Sequence, residues 1–456
     1  MSESPANPKP VATGRYRYTK LRWRISVALL DAIGSILIRL WRLARPLPTW
    51  QPPRKILVVQ LDHMGDAILS SPIFPRLRRA YPAARIEVLA SPSNREVFLA
   101  DPLVDRVHLA DRNWFERQPG RRALGSAVWT LGRSLRAGGY DLGIDVRGDI
   151  LTVFVLALAG IPRRLGWAMG GGGFLLTDVA AWVPGRHEVS SRMALLDRLE
   201  VARGEPARVR VGPTDRDRGR IAQRLDDAWS PRISPRRSSA SVRVGSADRP
   251  VGRPSSIRRV AIRLLASQWD DEPDRPLADH ADSGPLLVVH LGAGAAAKRW
   301  PERHWRDLID RFLEEGWRVI VVGGAEDAAV AAGLLPHSRL RDWTGRLALT
   351  ETVALLELAD LFIGSDSGPA HLAASAATPA VILFSGTNRP GQWRPWSRRA
   401  LVLRHQVPCR PCHHKICPLV DHPCMAGLTP DRVFRAAHRW WTRLHLRGET
   451  PSRVAI

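Results

Sequence analysis

The stretch LFIGSDSGPAHLAASA (residues 361–376) joins an apolar run to a helical pattern through a turn of small residues. The run 361–364 has the continuous apolar character of a strand that is buried on both faces. The small residues that follow bring backbone N–H groups to the start of the helix, where a phosphate binds well. The stretch therefore predicts an α/β crossover with a phosphate site, although an ordinary crossover capped by Asp366 or Ser367 fits the same residues.

The same strand–turn–helix pattern recurs along the chain. KILVVQL (residues 55–61) precedes the loop DHMGD and a predicted helix over residues 67–80. Strands that alternate with helices predict right-handed crossovers, doubly wound parallel sheets and ligands beyond the carboxyl ends of the strands. We therefore expect an α/β protein with two Rossmann-like domains that face each other across a cleft. The other predicted strands are 86–90, 106–109, 140–146, 286–291, 317–322 and 380–384, and the other helices are 302–315, 350–359 and 430–446.

Changes of composition divide the 456 residues into five parts. Residues 54–212 and 284–446 carry the strand and helix patterns of the two domains. Residues 213–283, which are rich in Ser, Arg and Pro, are predicted to be a disordered insertion or linker. A basic extension over residues 1–53 precedes the first domain, and a short tail, 447–456, follows the closing helix. We expect that closing helix, 430–446, to pack back across the first domain.

The net charge of +24 predicts an acidic partner, and the choices are nucleic acid, anionic lipid and a phosphorylated substrate. Arginine enrichment spread over the surface is the plain alternative. The basic residues are not confined to one block, and no zinc-finger, RRM or KH pattern is present, so we expect no specific nucleic-acid partner.

An amphipathic helix is predicted over residues 21–48, where apolar residues recur at helical spacing and arginines interrupt them. Asp31 lies near its middle and the uninterrupted apolar stretch is too short to span a bilayer. A helix lying in the plane of a membrane surface fits the Arg and Trp content, and a helix packed on the protein's own core is the alternative. The polar, Pro-rich start of the chain predicts no cleavable signal peptide.

Three segments in this order resemble glycosyltransferase family 9, the ADP-heptose:lipopolysaccharide heptosyltransferases. They are ILVVQLDHMGDAILSSPIFPRLRRAYPAARIEVL (residues 56–89), VVHLGAGAAAKRWPERHWRDLI (288–309) and LADLFIGSDSGPAHLAASAATPAVILFSGT (358–387). The resemblance implies a GT-B fold and inverting transfer from an ADP-activated heptose. It implies a lipopolysaccharide core or related glycolipid as the acceptor, at the cytoplasmic face of the inner membrane.

Inverting transfer needs a base for the acceptor hydroxyl and a positive group for the leaving diphosphate. The resemblance places the catalytic base at Asp66 and the phosphate-binding cation at Lys298, where a helix cap and a solvated lysine are the alternatives. Asp62 and Gly65 are expected on the acceptor side, and Glu326 near a ribose hydroxyl. The expected donor floor consists of Asp366, Ser367, Gly368, Pro369 and His371.

All four cysteines lie in one segment, Cys409, Cys412, Cys417 and Cys424, with histidines between them. Four such side chains suit a structural metal or an iron–sulfur cluster, and reduced thiols that pack a loop are the alternative. We expect no cofactor in catalysis, because Lys298 and helix amides supply positive charge at the leaving group.

The sequence thus predicts a glycosyltransferase that moves heptose from ADP-heptose to a glycolipid at the inner membrane. Two alternatives stay open: a transferase for another nucleotide sugar and glycan acceptor, and a non-catalytic sugar-nucleotide-binding protein or membrane adaptor. A nucleic-acid-binding protein is a third, weaker reading that rests on the charge alone.

Overall fold

The computed structural model describes residues 16, 21–44, 51–111, 114, 124–202, 207–229, 284–334 and 336–446. These residues form two α/β domains, each built on a six-stranded parallel sheet. Strand order is β3-β2-β1-β4-β5-β6 in the first sheet and β12-β11-β10-β7-β8-β9 in the second. The two orders are the same when the second is read from β9. The predicted α/β class with two Rossmann-like domains is confirmed.

The first sheet contains the strands β1 to β6, which are Lys55–Gln60, Arg85–Ala90, Arg106–Leu109, Leu142–Asp145, Arg163–Trp167 and Asp178–Ala180. The second sheet contains the strands β7 to β12, which are Leu286–His290, Arg318–Val322, Leu340–Asp342, Leu361–Ser365, Ala380–Phe384 and Ala400–Arg404. The central strands are apolar and almost fully buried because helices cover both faces of each sheet.

The helices of the N-terminal part are α1 to α7, Leu21–Ala44, Met64–Ser70, Ile73–Ala80, Arg95–Leu99, Leu124–Arg136, Ile150–Leu158 and Glu188–Leu195. Those that follow are α8 to α15, Asp215–Trp229, Glu302–Glu314, Ala328–Ala331, Leu349–Leu358, Gly368–Ser375, Pro390–Trp393, Pro423–Ala426 and Pro430–Leu446. The single helix predicted over residues 67–80 is in fact two, α2 and α3, with the break at Ser71 and Pro72.

Helix α8 lies within the segment 213–283 that was predicted to be disordered, so that prediction is wrong for residues 215–229. It packs on α11 of the C-terminal domain, where Arg218 donates to both carboxylate oxygens of Glu357, at 2.8 and 3.0 Å. Ile221 is fully buried, and Leu225, Ala228 and Trp229 on the same face are half-buried against the core. An apolar stripe at helical spacing therefore holds the helix together with its ion pairs. The rest of that segment, 230–283, lies outside the described residues, as does the tail 447–456.

The closing helix α15 packs on α9 and not across the first domain as expected. Its Phe434 and Trp441 rings lie edge-on to Phe312 and Trp317, with ring centroids 5.0 and 5.1 Å apart. Such aromatic pairs bury a large apolar area, which fixes the helix to the C-terminal domain.

Helix α1 is fastened to the N-terminal domain along one narrow stripe, Val27, Asp31 and Gly34. The buried Asp31 carboxylate accepts hydrogen bonds from the backbone N–H of Gly172 at 2.7 Å and from the Tyr16 hydroxyl at 2.9 Å. Its other faces expose large apolar side chains: Leu21, Trp23, Ile25, Leu29, Leu30, Ile33, Ile36, Leu37, Leu40, Trp41 and Leu43. Among the helices of the described ranges, none has the length and hydrophobicity to cross a bilayer.

Candidate functional site

Asp66 lies in the first turn of α2, directly after the loop that follows β1. A carboxylate is favoured there because the positive end of the helix dipole is close. The side chain remains 19% exposed, and its Oδ1 accepts a hydrogen bond from Nη2 of Arg192 at 3.2 Å. The predicted base is therefore accessible to a ligand and held on one oxygen.

The first turns of α2 and α12 touch each other across the cleft between the two domains. A Cβ on Gly65 would stand 3.1 Å from Cδ2 of His371, and a Cβ on Gly368 would stand 3.0 Å from Sδ of Met64. The buried His371 ring leaves little room for a side chain at position 65, whereas a side chain at position 368 would meet only the flexible end of Met64. Asp66 therefore lies beside the turn that was predicted to form the donor floor.

Lys298 makes an ion pair with that turn. Its Nζ is 2.7 Å from Oδ2 of Asp366 and also donates to the Asp366 carbonyl at 3.2 Å. The same Oδ2 accepts from the side-chain amide of Asn388 at 2.8 Å. Asp366 is buried, so these partners balance its charge. An ammonium group has three donors, and the two bonds to Asp366 leave one for a ligand.

The turn itself ends β10 and begins α12. The Ser367 hydroxyl, at the cap position of α12, donates to the Ser365 carbonyl at 3.1 Å and lies 3.3 Å from Nδ1 of His290. Gly368 and Pro369 begin the helix; Pro369 has no N–H, and the Ala370 N–H donates to the Ser367 carbonyl at 3.2 Å. The Gly368 N–H is therefore the backbone donor of this turn that can face an anion. The arrangement matches an anion site at a helix N-terminus.

His371 points a neutral ring into this contact. Burial lowers the pKa of His371 to about 4, against the opposing effect of the Asp366 carboxylate. The imidazole therefore carries no charge near neutral pH. Its Nδ1 is buried and has no hydrogen-bond partner among the described residues.

Glu326 and Asp327 follow β8 but point to different places. Glu326 is exposed, whereas Asp327 is buried and accepts from the Gly324 backbone N–H at 3.2 Å. Asp327 Oδ2 also lies 3.2 Å from Nε2 of His290. Burial tends to raise the pKa of Asp327, but the His290 hydrogen bond and charge bring it below its ordinary value. Glu326 is thus the acid of this pair that a ligand can reach.

Asp62 is buried at the end of β1 and ion-paired with Arg147. Its Oδ2 accepts from the Gln60 amide at 3.1 Å. Next to Arg147, the fully buried Asp145 has its pKa raised to about 7 by burial, although backbone N–H groups of the following turn oppose the shift. Arg147, which the sequence analysis did not identify, therefore holds the Asp62 carboxylate.

The sequence analysis also missed α7, which meets both the base and the C-terminal domain. Arg192 donates to Asp66 and, at 2.9 Å, to Oε2 of Glu188. Glu188 accepts from the side-chain amide of Gln392 at 2.7 Å across the cleft. Glu188 and Arg192 are four residues apart on a helix, and this spacing predicts that their side chains form an ion pair. It does not predict that the pair lies beside Asp66.

The cysteine segment packs beside the Lys298 turn. The backbone N–H of Ala297 donates to the Lys415 carbonyl at 3.0 Å, and Nε2 of His422 is 3.1 Å from the Ala297 carbonyl. Burial raises the pKa of the Cys424 thiol. The four cysteines form no disulfide, and within the described ranges no group of three or more His, Cys, Asp or Glu side chains is arranged to hold a metal ion.

Known proteins resemble this chain over most of its length. It is 28% identical to lipopolysaccharide heptosyltransferase 1 of Pseudomonas aeruginosa over 371 residues, covering 80% of this chain and 87% of that protein. It is 25% identical to lipopolysaccharide heptosyltransferase 2 of Escherichia coli over 391 residues, covering 83% and 96%. The solved structure of E. coli ADP-heptose lps heptosyltransferase II matches with a TM-score of 0.61 at 21% identity, over 85% of this chain and 99% of that one.

The sequence profile of glycosyltransferase family 9 (heptosyltransferase) matches residues 265–422, which include Lys298 and the donor-floor turn. The structural match supports the GT-B arrangement of two facing Rossmann-like domains. The chain is a glycosyltransferase that is similar to glycosyltransferase family 9 over residues 265–422 and to heptosyltransferases over most of its length.

Proposed function

We propose that this enzyme transfers heptose from ADP-heptose to a lipopolysaccharide core or a related glycolipid, with inversion at the anomeric carbon. The observation that carries the proposal is the contact of α2 with α12, which sets Asp66 beside the Asp366–His371 turn. The relatives described above are heptosyltransferases that act on lipopolysaccharide. A solved structural neighbour, E. coli heptosyltransferase WaaC, contains ADP.

In the proposed reaction the acceptor hydroxyl attacks the anomeric carbon of the donor while Asp66 takes its proton. The bond between that carbon and the diphosphate oxygen breaks, and its electron pair leaves with ADP. The Lys298 ammonium and the Gly368 backbone N–H of α12 meet the negative charge that grows on the diphosphate. The neutral ring of His371 lines the same turn without adding charge.

The remaining predicted residues take supporting roles. Asp366 holds Lys298 in position, and Ser367, Gly368 and Pro369 shape the phosphate turn. Glu326, which follows β8 and is exposed, accepts a hydrogen bond from a ribose hydroxyl of the nucleotide. We place the acceptor near Gly65 and the ion pair of Asp62 with Arg147, at the carboxyl end of β1.

No metal ion is required for this scheme, because Lys298 supplies a positive charge beside the expected diphosphate. A structural metal at Cys409, Cys412, Cys417 and Cys424 is a separate proposal that requires these side chains to rearrange, because as placed they form no metal-binding group. The segment packs on the Lys298 turn and lies outside the reacting centre. Metal binding by these thiolates would stabilise the fold of this segment.

We also propose that α1 binds the anionic surface of the inner membrane from its cytoplasmic side. Its exposed apolar side chains alternate with Arg22, Arg24 and Arg39, as in helices that lie in a membrane interface. The surface on which α1 packs is near the proposed acceptor side. Val27 of α1 packs on Gly171, and the neighbouring Gly170 packs on the backbone of Gly148, which is next to Arg147 in the sequence. A membrane-bound α1 would bring a glycolipid acceptor to that side.

The donor is tested by thermal unfolding in a panel of nucleotide sugars. A ligand at about 100 times its dissociation constant stabilises the fold by about 2.7 kcal/mol. We expect ADP-heptose to raise the unfolding temperature, UDP and GDP sugars to leave it unchanged, and Lys298→Ala to remove most of the shift. A larger shift with a UDP or GDP sugar would favour the alternative donor class.

The base is tested with Asp66→Asn. A general base contributes on the order of 10²–10⁴ in rate, so we expect kcat to fall by that factor while donor affinity stays within about twofold. Asp215→Asn is the matched control, since Asp215 also lies in the first turn of a helix but is 76% exposed and pairs with Arg218 of its own helix. A rate for Asp66→Asn equal to that of the control would remove Asp66 from the mechanism.

Membrane binding is tested by flotation with vesicles that contain phosphatidylglycerol. We expect the wild-type chain to float, to float less in high salt, and to lose affinity about tenfold when Trp23 and Trp41 are changed to Ser. Trp129→Ser, on α5, is the control, because Trp129 is 53% exposed and Trp41 is 49% exposed. Equal flotation of the double variant and the control would contradict the proposed role of α1.

A further inference from the structure

We propose that Arg192 is the positioning residue of the Asp66 carboxylate, and that Glu188 and Gln392 make its position depend on the C-terminal domain. The inference rests on the proposed function, because it assigns a role to residues around the base of that reaction. It concerns three side chains that the chemistry of transfer does not itself require.

The first step is the fork that Arg192 makes between two carboxylates. Its side chain is 3% exposed, with Nη2 at 3.2 Å from Asp66 Oδ1 and Nη1 at 2.9 Å from Glu188 Oε2. A planar guanidinium fixes the direction of both bonds at once, which an ammonium group does not. The fork holds Oδ1 of Asp66 and leaves Oδ2 to face the acceptor hydroxyl.

The second step crosses the cleft. Oε1 of Glu188, whose other oxygen binds Arg192, accepts from the Gln392 amide at 2.7 Å. Gln392 lies on α13, four residues after Asn388, and the Asn388 amide binds Asp366 at 2.8 Å. Asp366 in turn holds Lys298. The short backbone segment from Asn388 to Gln392 therefore carries both the side chain that binds Asp366 beside Lys298 and the side chain that binds Glu188 across the cleft.

The third step is the rigid seat of α7. His187 precedes the helix, and its Nε2 lies 2.9 Å from the Arg394 carbonyl of the C-terminal domain. Its ring packs on Trp396, with centroids 4.5 Å apart. Burial lowers the pKa of His187 to about 4, so the ring is neutral near neutral pH and its Nδ1 accepts the Val189 N–H at 3.2 Å. The start of α7 is thus fixed by contacts on both domains.

These contacts have a consequence for the reaction. When the two domains are apart, Glu188 loses Gln392 and the Arg192 fork loses one of its supports. The position of Asp66 therefore depends on the contact between the two domains that Gln392 and Glu188 make in this structure.

The test compares kcat and KM for Arg192→Gln and Arg192→Lys in the full chain, with the nucleotide sugar that the wild type turns over. Misplacing a reacting group by about 1 Å costs about 100-fold in rate, so we expect Arg192→Gln to lower kcat about 100-fold and to leave the donor KM within about threefold. Arg192→Lys restores part of kcat, because the charge remains while the fork is lost.

Arg163→Gln is the control for the loss of an arginine–carboxylate pair. Arg163, at the start of β5, donates to both carboxylate oxygens of Asp178 on β6, at 3.0 and 2.9 Å, and neither residue is part of the Asp66–Arg192–Glu188–Gln392 contacts. We expect Arg163→Gln to lower thermal stability and to keep kcat per folded molecule. Equal kcat values for the two variants would overturn the positioning role, as would a raised donor KM at unchanged kcat in Arg192→Gln.

Gln392→Ala tests the link across the cleft with a variant that removes no buried charge. We expect kcat to fall about tenfold, and no further loss when Gln392→Ala is added to Arg192→Gln, because both act on the same carboxylate. Fully additive losses would overturn the link. A wrong donor assignment shows separately, as a wild type that does not use ADP-heptose, and leaves this comparison intact with the donor that is used.

Discussion

The structure depends on one close approach: the first turns of α2 and α12 meet across the cleft with glycine at both contact points. Gly65 faces His371, and Gly368 faces Met64. Each turn follows a central strand of its own sheet, so each sheet delivers one half of the site. The two glycines leave room for the His371 ring and the Met64 side chain at this contact, which brings the carboxylate of Asp66 and the cation of Lys298 to one cleft.

Charge within this cleft is arranged in pairs. Lys298 is held by Asp366, Arg192 by Asp66 and Glu188, and Arg147 by Asp62. A buried charge without a partner is costly, so each pair both stabilises its members and fixes their direction. His187 and His371 are buried beside these pairs, and because their rings are neutral they add no positive charge to the cleft.

The central parts of the fold could be predicted from the sequence because buried parallel strands are continuous apolar runs. Ala380–Phe384 and Pro430–Leu446 are observed with the predicted bounds. Edge strands such as Leu340–Asp342 are short and half-buried, so they give no such run. Helix α8 was missed because its short apolar stripe, Ile221, Leu225 and Trp229, stands among arginines and aspartates whose composition is that of a linker.

The site could be predicted only where chemistry and local sequence coincide. The turn at Asp366 and the loop before Asp66 are local motifs, and the structure brings them together. Glu188 and Arg192 form an ordinary helical pair, and Gln392 is far from both in the sequence. Their position beside Asp66 follows only from the packing of α7 between the two domains. Their roles, like those of the predicted residues, remain proposals that experiment must test.

A crystal structure with an unreactive ADP-heptose analogue and an acceptor tests the central claim most directly. The account predicts Lys298 Nζ in contact with the diphosphate, and an Asp66 oxygen about 3 Å from the attacking hydroxyl, as a general base requires. A diphosphate bound away from Lys298 and the Asp366–His371 turn, or an acceptor hydroxyl beyond the reach of Asp66, would contradict it.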